Sequence, residues 1–247
     1  MLEELRAAGS AVLQLPSVLR RRTCAGLHQV VDHNIRYPVV LVHGYAGTEA
    51  VWAPLRRALL DAGFGHVVSL NYNSFARDAA AVSADLASRT RDALDDTGAS
   101  QVHLVGHSLG GLIVRDAINQ GSLAPVVGTA VTIASPHRGT RLARIAPGRC
   151  ARIMVPHTAV RDVAGRSPSR VRWLAYYSDS DRVVLPASAR LNDPHYRATN
   201  VLIPGCGHLT ICRDARLIRS LVSELIRTES ACAPSLRATV AHDPVAA

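Results

Sequence analysis

The residues in this chain best suited to chemistry are Gly106-His107-Ser108-Leu109-Gly110. A serine with glycine two positions away on each side suits a very tight strand-to-helix turn, which neighbours bearing side chains would block. Such a turn pushes the serine hydroxyl into the open. It also sets the hydroxyl at a helix N-terminus, where the dipole favours developing negative charge. The chemistry this implies is acyl transfer through a covalent intermediate on Ser108. The backbone N–H of Leu109, the residue after the nucleophile, is then an oxyanion donor. The hydroxyl needs a base, and histidine is tuned for that near neutral pH. Eleven histidines compete. The imidazole in turn needs a carboxylate to hold its tautomer and stabilise its charged form.

These residues need strands and helices to position them. From Tyr37 onward the pattern alternates between the two. Pro38-Val39-Val40-Leu41-Val42 is a continuous apolar run, as expected for a strand buried on both faces of a parallel sheet. A helix is expected from about Glu49 to Asp61, stopped by Gly63. Further strands are expected at 67–70, 101–105, 127–133, 171–177 and 199–203. Helices are expected at 77–95, 109–119 and 215–227. The fold class is therefore α/β, with a mainly parallel sheet and helices on both faces. Ligands of such sheets sit at the carboxyl ends of the strands, and the residues singled out above follow a strand. Residues 2–19 read as an amphipathic helix, and 1–36 as an N-terminal helical extension. The main domain is expected over 37–228, with a flexible tail over 229–247.

Five stretches together resemble the α/β-hydrolase superfamily, and within it the bacterial lipase and esterase group. They are residues 40–47 (Val-Leu-Val-His-Gly-Tyr-Ala-Gly), residues 106–111, Ser135-Pro136-His137-Arg138-Gly139-Thr140, Asp181-Arg182-Val183-Val184, and Gly207-His208. They occur in the family's order between residues 38 and 208. The resemblance implies a second oxyanion donor at Tyr45, in the loop after the first strand. It implies His208 as the base, between the last strand and the last helix. The family's Asp-x-Val-Val arrangement points to Asp181 as the acid, with Asp179 the rival. It makes His107 a filler in the elbow and leaves His137 as second choice for the base. His43 reads as a brace for its loop, His103 as a core residue, and His157 falls in the insert.

That insert, expected as a small cap or lid over 138–170 after the strand ending near Ile133, carries a dense run of arginines. Residues 138–172 contain nine arginines and one acid, Asp162. Its apolar residues Ile145, Ile153, Met154, Val155 and Val160 suit acyl chains; a solvated surface excursion is the alternative.

Composition excludes other classes. The formal net charge is +9, and all 28 basic residues are arginine. Nucleic-acid binding would need those charges clustered with aromatics between them, but aromatics are only 4%. No partner of that kind is expected. No CxxC pair occurs among the five cysteines, so zinc spacing is absent, and no metal site or cofactor is expected. Cys206 and Cys212, which flank His208, read as reduced, buried thiols, with a disulfide as the alternative. No run of about 18 apolar residues occurs. The N-terminal residues do not read as a signal peptide, which favours the cytoplasm and leaves secretion open. Oligomeric state is left open.

The function expected is a serine carboxylic ester hydrolase, lipase or esterase, with Ser108, Asp181 and His208 catalytic. Its partner would be a small ester or lipid, with transient contact to lipid surfaces. A thioesterase, amidase, acyltransferase or perhydrolase would use the same three residues. A non-catalytic binding module would have no need of all three.

Overall fold

The structure, a computed structural model, describes residues 36–156 and 170–232, with the side chains of 231 and 232 excepted. The helix expected at 2–19, His157, the middle of the insert and the chain after 232 lie outside the described residues. Six strands make one sheet: β1 (Val39–Val42), β2 (Val67–Leu70), β3 (Val102–His107), β4 (Val127–Ile133), β5 (Arg172–Tyr177) and β6 (Thr199–Leu202). Their order is β2-β1-β3-β4-β5-β6, and every pairing is parallel. The central strands β1, β3 and β4 are buried along their whole length, and β1 is the unbroken apolar run expected of such a strand. The edge strands β2 and β6 are only partly covered.

The helices are α1 (Ala53–Asp61), α2 (Ala79–Thr97), α3 (Leu109–Asn119), the single turn α4 (Pro186–Ala189) and α5 (Ala215–Cys232). Successive strand residues face opposite ways. Val40 and Val42 of β1 join one core with α2 and α3, while Val39 and Leu41 join a second core with α1 and α5. The sheet is thus covered on both faces.

Several boundaries differ from the sequence expectation. The helix expected at 49–61 is a 3-10 turn (Glu49–Trp52) followed by α1, which begins as Pro54 enters its first turn. α2 starts two residues later than expected because Asp78 caps it, accepting from the Ala81 N–H at 2.8 Å, and it ends at Gly98 with φ 67°. β3 runs two residues further than expected. Gly106 pairs with Val42 and Thr132, and His107 pairs with Ile133, so the strand ends directly against Ser108. α5 runs on to Cys232, past the expected end near Arg227. Glu229 shows why: its carboxylate accepts from the Tyr37 N–H at 2.8 Å and pairs with Arg36 at 2.9 Å. The last turn of the helix is thereby tied to the residues that lead into β1.

Within the insert, the described residues form two 3-10 helices, Arg141–Arg144 and Arg149–Met154. Another 3-10 turn, Thr210–Arg213, follows His208.

Candidate active site

The turn between β3 and α3 is as tight as the glycine spacing implies. Ser108 has φ 52° and ψ −120°, a left-handed conformation rare for a residue with a side chain. Such strain costs on the order of 1–3 kcal/mol and persists only when neighbours hold it. They do: the Ser108 N–H donates to the Ile133 carbonyl at 2.8 Å, and its carbonyl accepts from the Gly111 N–H at 3.1 Å. A Cβ on Gly106 would lie 2.4 Å from the Gly110 carbonyl carbon, and one on Gly110 would lie 2.1 Å from the Val42 oxygen. Gly111 would press within 2.0 Å of Ser135 Oγ. Gly106 and Gly110 are steric requirements of the turn, and Gly111 lets the helix pack closely on Ser135 and Thr132.

The turn brings Ser108 to His208. Ser108 Oγ lies 2.9 Å from His208 Nε2, and His208 Nδ1 lies 2.8 Å from Asp181 Oδ2. With the Nδ1–H donating to the carboxylate, Nε2 is left as an acceptor for the serine hydroxyl. All three residues are buried. The second oxygen of Asp181 accepts from the Val183 and Val184 N–H groups at 2.8 and 2.9 Å, so the carboxylate is aimed from both ends.

Asp179, the rival acid, does different work. It sits at the surface and accepts from the Gly205 N–H at 2.8 Å and from Ser180 Oγ at 3.1 Å. The Gly205 bond, more than any other contact, holds its carboxyl below the usual range. Ser178 Oγ accepts from the Cys206 N–H at 3.0 Å. Ser178 and Asp179 thus pin the loop that delivers His208.

The elbow histidine is more than a filler. His107 Nε2 lies 2.9 Å from the His208 carbonyl, and the two rings approach to 4.9 Å. Burial, reinforced by the facing His208, pushes the His107 imidazole down to about 3. It is therefore neutral at working pH and donates its Nε2–H to that carbonyl, fixing the backbone of His208. The residue type alone could not reveal this, because the acceptor is a main-chain group 101 positions away.

The loop after β1 lies beside the serine because Val42 and Gly106 are in register. His43 braces it. Its ring stacks on Tyr72 at 4.3 Å, its Nδ1–H donates to the Gly44 carbonyl at 2.9 Å, and Tyr72 Oη donates to the His43 carbonyl at 2.8 Å. Burial lowers the pKa of this ring as well. Ala46 holds φ 52°, and its N–H donates to Ser74 Oγ at 3.0 Å. Among the described residues no protein acceptor takes the Tyr45 N–H. Leu109 opens α3, so its N–H has no acceptor within the helix.

His137 is not brought to Ser108. It lies behind the site, with Nε2 3.0 Å from Thr132 Oγ1 and Nδ1 3.3 Å from Arg115. Burial, aided by Arg115, lowers it to about 3. His103 is fully buried on β3, 3.3 Å from Glu229. Cys206 and Cys212 are free, buried thiols, with Cys206 Sγ 3.2 Å from Asp214 Oδ2. Among the described residues no three His, Cys, Asp or Glu side chains converge as metal ligands.

A cavity of about 260 Å³ opens over Ser108 and His208. Tyr45, Leu142, Ala146 and Met154 contribute to its walls, so the insert supplies much of its apolar lining. Thr140 Oγ1 donates to the Val183 carbonyl at 2.7 Å and joins the insert to the loop that carries Asp181.

A family model described as alpha/beta hydrolase fold matches residues 37–146. The chain has the α/β-hydrolase fold. Among curated proteins, the chain is similar to a triacylglycerol lipase of Burkholderia plantarii. They are 33% identical over 56% of this chain and 37% of that one. It is also similar to a triacylglycerol lipase of Pseudarthrobacter phenanthrenivorans, 36% identical over 44% and 35% respectively. The chain thus spans little more than a third of the length of these curated relatives. Among solved structures, a lipase of Bacillus licheniformis superposes with a TM-score of 0.69. Identity is 17%, over 78% of this chain and 93% of that one. A monoacylglycerol lipase of Paleococcus ferrophilus superposes with a TM-score of 0.60, 17% identical over 78% and 97%.

Proposed function

We propose that this α/β-hydrolase is a serine carboxylic ester hydrolase, a lipase or esterase, working through an acyl-enzyme on Ser108. The observation that carries this is the continuous hydrogen-bonded line from Ser108 Oγ through His208 to Asp181, lying under an apolar cavity. The likeness to two triacylglycerol lipases supports an ester as the substrate.

In this reading His208 Nε2 takes the hydroxyl proton as Ser108 Oγ attacks the ester carbonyl carbon. The oxygen of the tetrahedral intermediate gathers negative charge, and the Tyr45 and Leu109 N–H groups donate to it. Asp181 stabilises the imidazolium and keeps its Nδ1–H in place. His208 then gives the proton to the leaving alkoxide, the C–O bond breaks, and the alcohol departs. Water, deprotonated by His208, attacks the acyl-serine in the same way. The carboxylic acid leaves and Ser108 regains its proton.

A Ser108→Ala variant tests the reading. It is expected to abolish hydrolysis of a soluble p-nitrophenyl ester while circular dichroism stays native. Retained hydrolysis would remove Ser108 from the mechanism. Rates across a series of p-nitrophenyl esters then separate a short-chain esterase from a lipase. Comparison with the matching thioesters and amides separates ester hydrolysis from the other acyl-transfer chemistries.

A further inference from the structure

Among the described residues seven large apolar side chains are exposed: Leu60, Phe75, Leu142, Ile145, Val183, Leu185 and Leu202. Five of them lie at or beside residues that line the cavity over Ser108. Leu142 and Val183 line the cavity, and Ile145 and Leu185 are next in sequence to the lining residues Ala146 and Val184. Phe75 packs edge-on against Tyr45, another lining residue, at 5.2 Å. Ile145 is 83% exposed and Leu185 60%. Singly exposed apolar residues need no explanation, but a set of them around a cavity mouth does.

Cations surround this set. Arg138, Arg141, Arg144 and Arg149 alternate with the cavity-lining residues of the insert, and Arg182 precedes Val183; all five are exposed. None of them pairs with a described acid. No Asp or Glu occurs in residues 138–156 or 182–190. Elsewhere on the surface arginines do find acids, as Arg77 finds Asp85 and Arg172 finds Glu224.

We propose that the cavity mouth docks onto a lipid surface bearing anionic headgroups. Aliphatic side chains gain by entering the headgroup–acyl boundary, and unpaired arginines around them gain by meeting negative lipid charge. A nucleic acid would use the same charges but would leave Ile145 and Leu185 in water. The role of this surface rests on the ester-hydrolase reading, since it would bring Ser108 to lipid esters. Binding itself is read without turnover, so the two readings fail separately.

The test is cosedimentation of the full chain with vesicles of phosphatidylcholine, with or without a minority of phosphatidylglycerol. Binding is expected to the anionic vesicles, to weaken with salt, and to be slight on pure phosphatidylcholine. Each arginine at an anionic surface multiplies partitioning roughly fivefold, so the double variant R141Q/R144Q should partition about 25-fold more weakly. Burial of an aliphatic side chain is worth roughly tenfold or more, so the double variant I145S/L185S should lose at least that factor. Both variants should keep the wild-type circular dichroism spectrum, which shows that they fold. Equal binding to neutral and anionic vesicles would overturn the proposal. So would unchanged binding of either variant. Tight binding of an oligonucleotide that depends on the arginines but not on Ile145 and Leu185 would overturn it in favour of nucleic acid.

Discussion

Replacing Asp181 by asparagine isolates what the carboxylate does, because size and shape are kept. In the native site Oδ1 accepts two main-chain N–H groups, from Val183 and Val184, and Oδ2 accepts from His208 Nδ1. An asparagine oxygen also accepts two bonds, and it will take the Oδ1 position because only an acceptor satisfies both N–H groups. The amide NH2 then falls opposite His208 Nδ1. An NH2 group only donates, so Nδ1 must become the acceptor and the ring proton moves to Nε2. Nε2–H now faces Ser108 Oγ, which it held at 2.9 Å as an acceptor, and it can no longer take the serine proton. The wrong tautomer in such a site costs roughly 10⁴ in kcat. At about 1.36 kcal/mol per tenfold, that is about 5 kcal/mol of transition-state stabilisation. KM should change little, since Asp181 does not line the cavity. Asp179→Asn is the control: its Oδ1 accepts from Gly205 and Ser180, bonds that an amide oxygen reproduces, so kcat should fall less than about tenfold. Steady-state kinetics on a soluble p-nitrophenyl ester read both, with thermal melts confirming the fold. A loss of less than about tenfold in Asp181→Asn, or a larger loss in Asp179→Asn, would refute the tautomer argument.

Two further outcomes follow from packing and burial. Gly110→Ala would drive a Cβ to 2.1 Å from the Val42 carbonyl oxygen and 2.6 Å from that of His43, so its unfolding free energy in urea should drop by about 3 kcal/mol or more. Gly65→Ala, where nothing lies within 4 Å, should stay within about 0.5 kcal/mol. The buried histidines His107 and His137, both lowered to about 3, make the fold sensitive to acid. Below the ordinary histidine pKa of about 6.5 the unfolded chain binds protons that the folded chain refuses. Their contribution is complete above that pH and is lost as pH falls toward 3, by about 1.4 kcal/mol per pH unit for each histidine. Urea titrations between about pH 6 and 4.5 should show this slope, and it should shrink in His137→Gln. A flat profile across that window would contradict the burial argument.

What the sequence revealed depended on how local each cause was. Ser108 was legible because its requirement is met within five residues: glycine two positions either side, a strand before and a helix after. Strand β1 was legible because burial on both faces makes it a continuous apolar run, and β3 and β4 because apolar residues still dominate them around His103, Thr129 and Thr132. Asp181 and Asp179 could not be told apart by type, since both are acids in the same loop. What separates them is the turn at Val183 and Val184, which presents two N–H groups to one carboxylate and leaves the other to Gly205. The braces were hidden for a related reason. His107 meets a main-chain carbonyl 101 residues away, and Glu229 meets Tyr37 across 192. Neither partner leaves a mark in local pattern, so α5 was expected to end near Arg227 and His107 to be a filler in the elbow.

The central claim is that Ser108 carries the acyl group, and active-site labelling tests it most directly. The protein is treated with a fluorophosphonate probe, digested and mapped by mass spectrometry. One adduct is expected, on the peptide containing Ser108, absent from Ser108→Ala and formed much more slowly in His208→Gln. An adduct on another residue, or ester hydrolysis that survives with Ser108 unlabelled, would contradict the account.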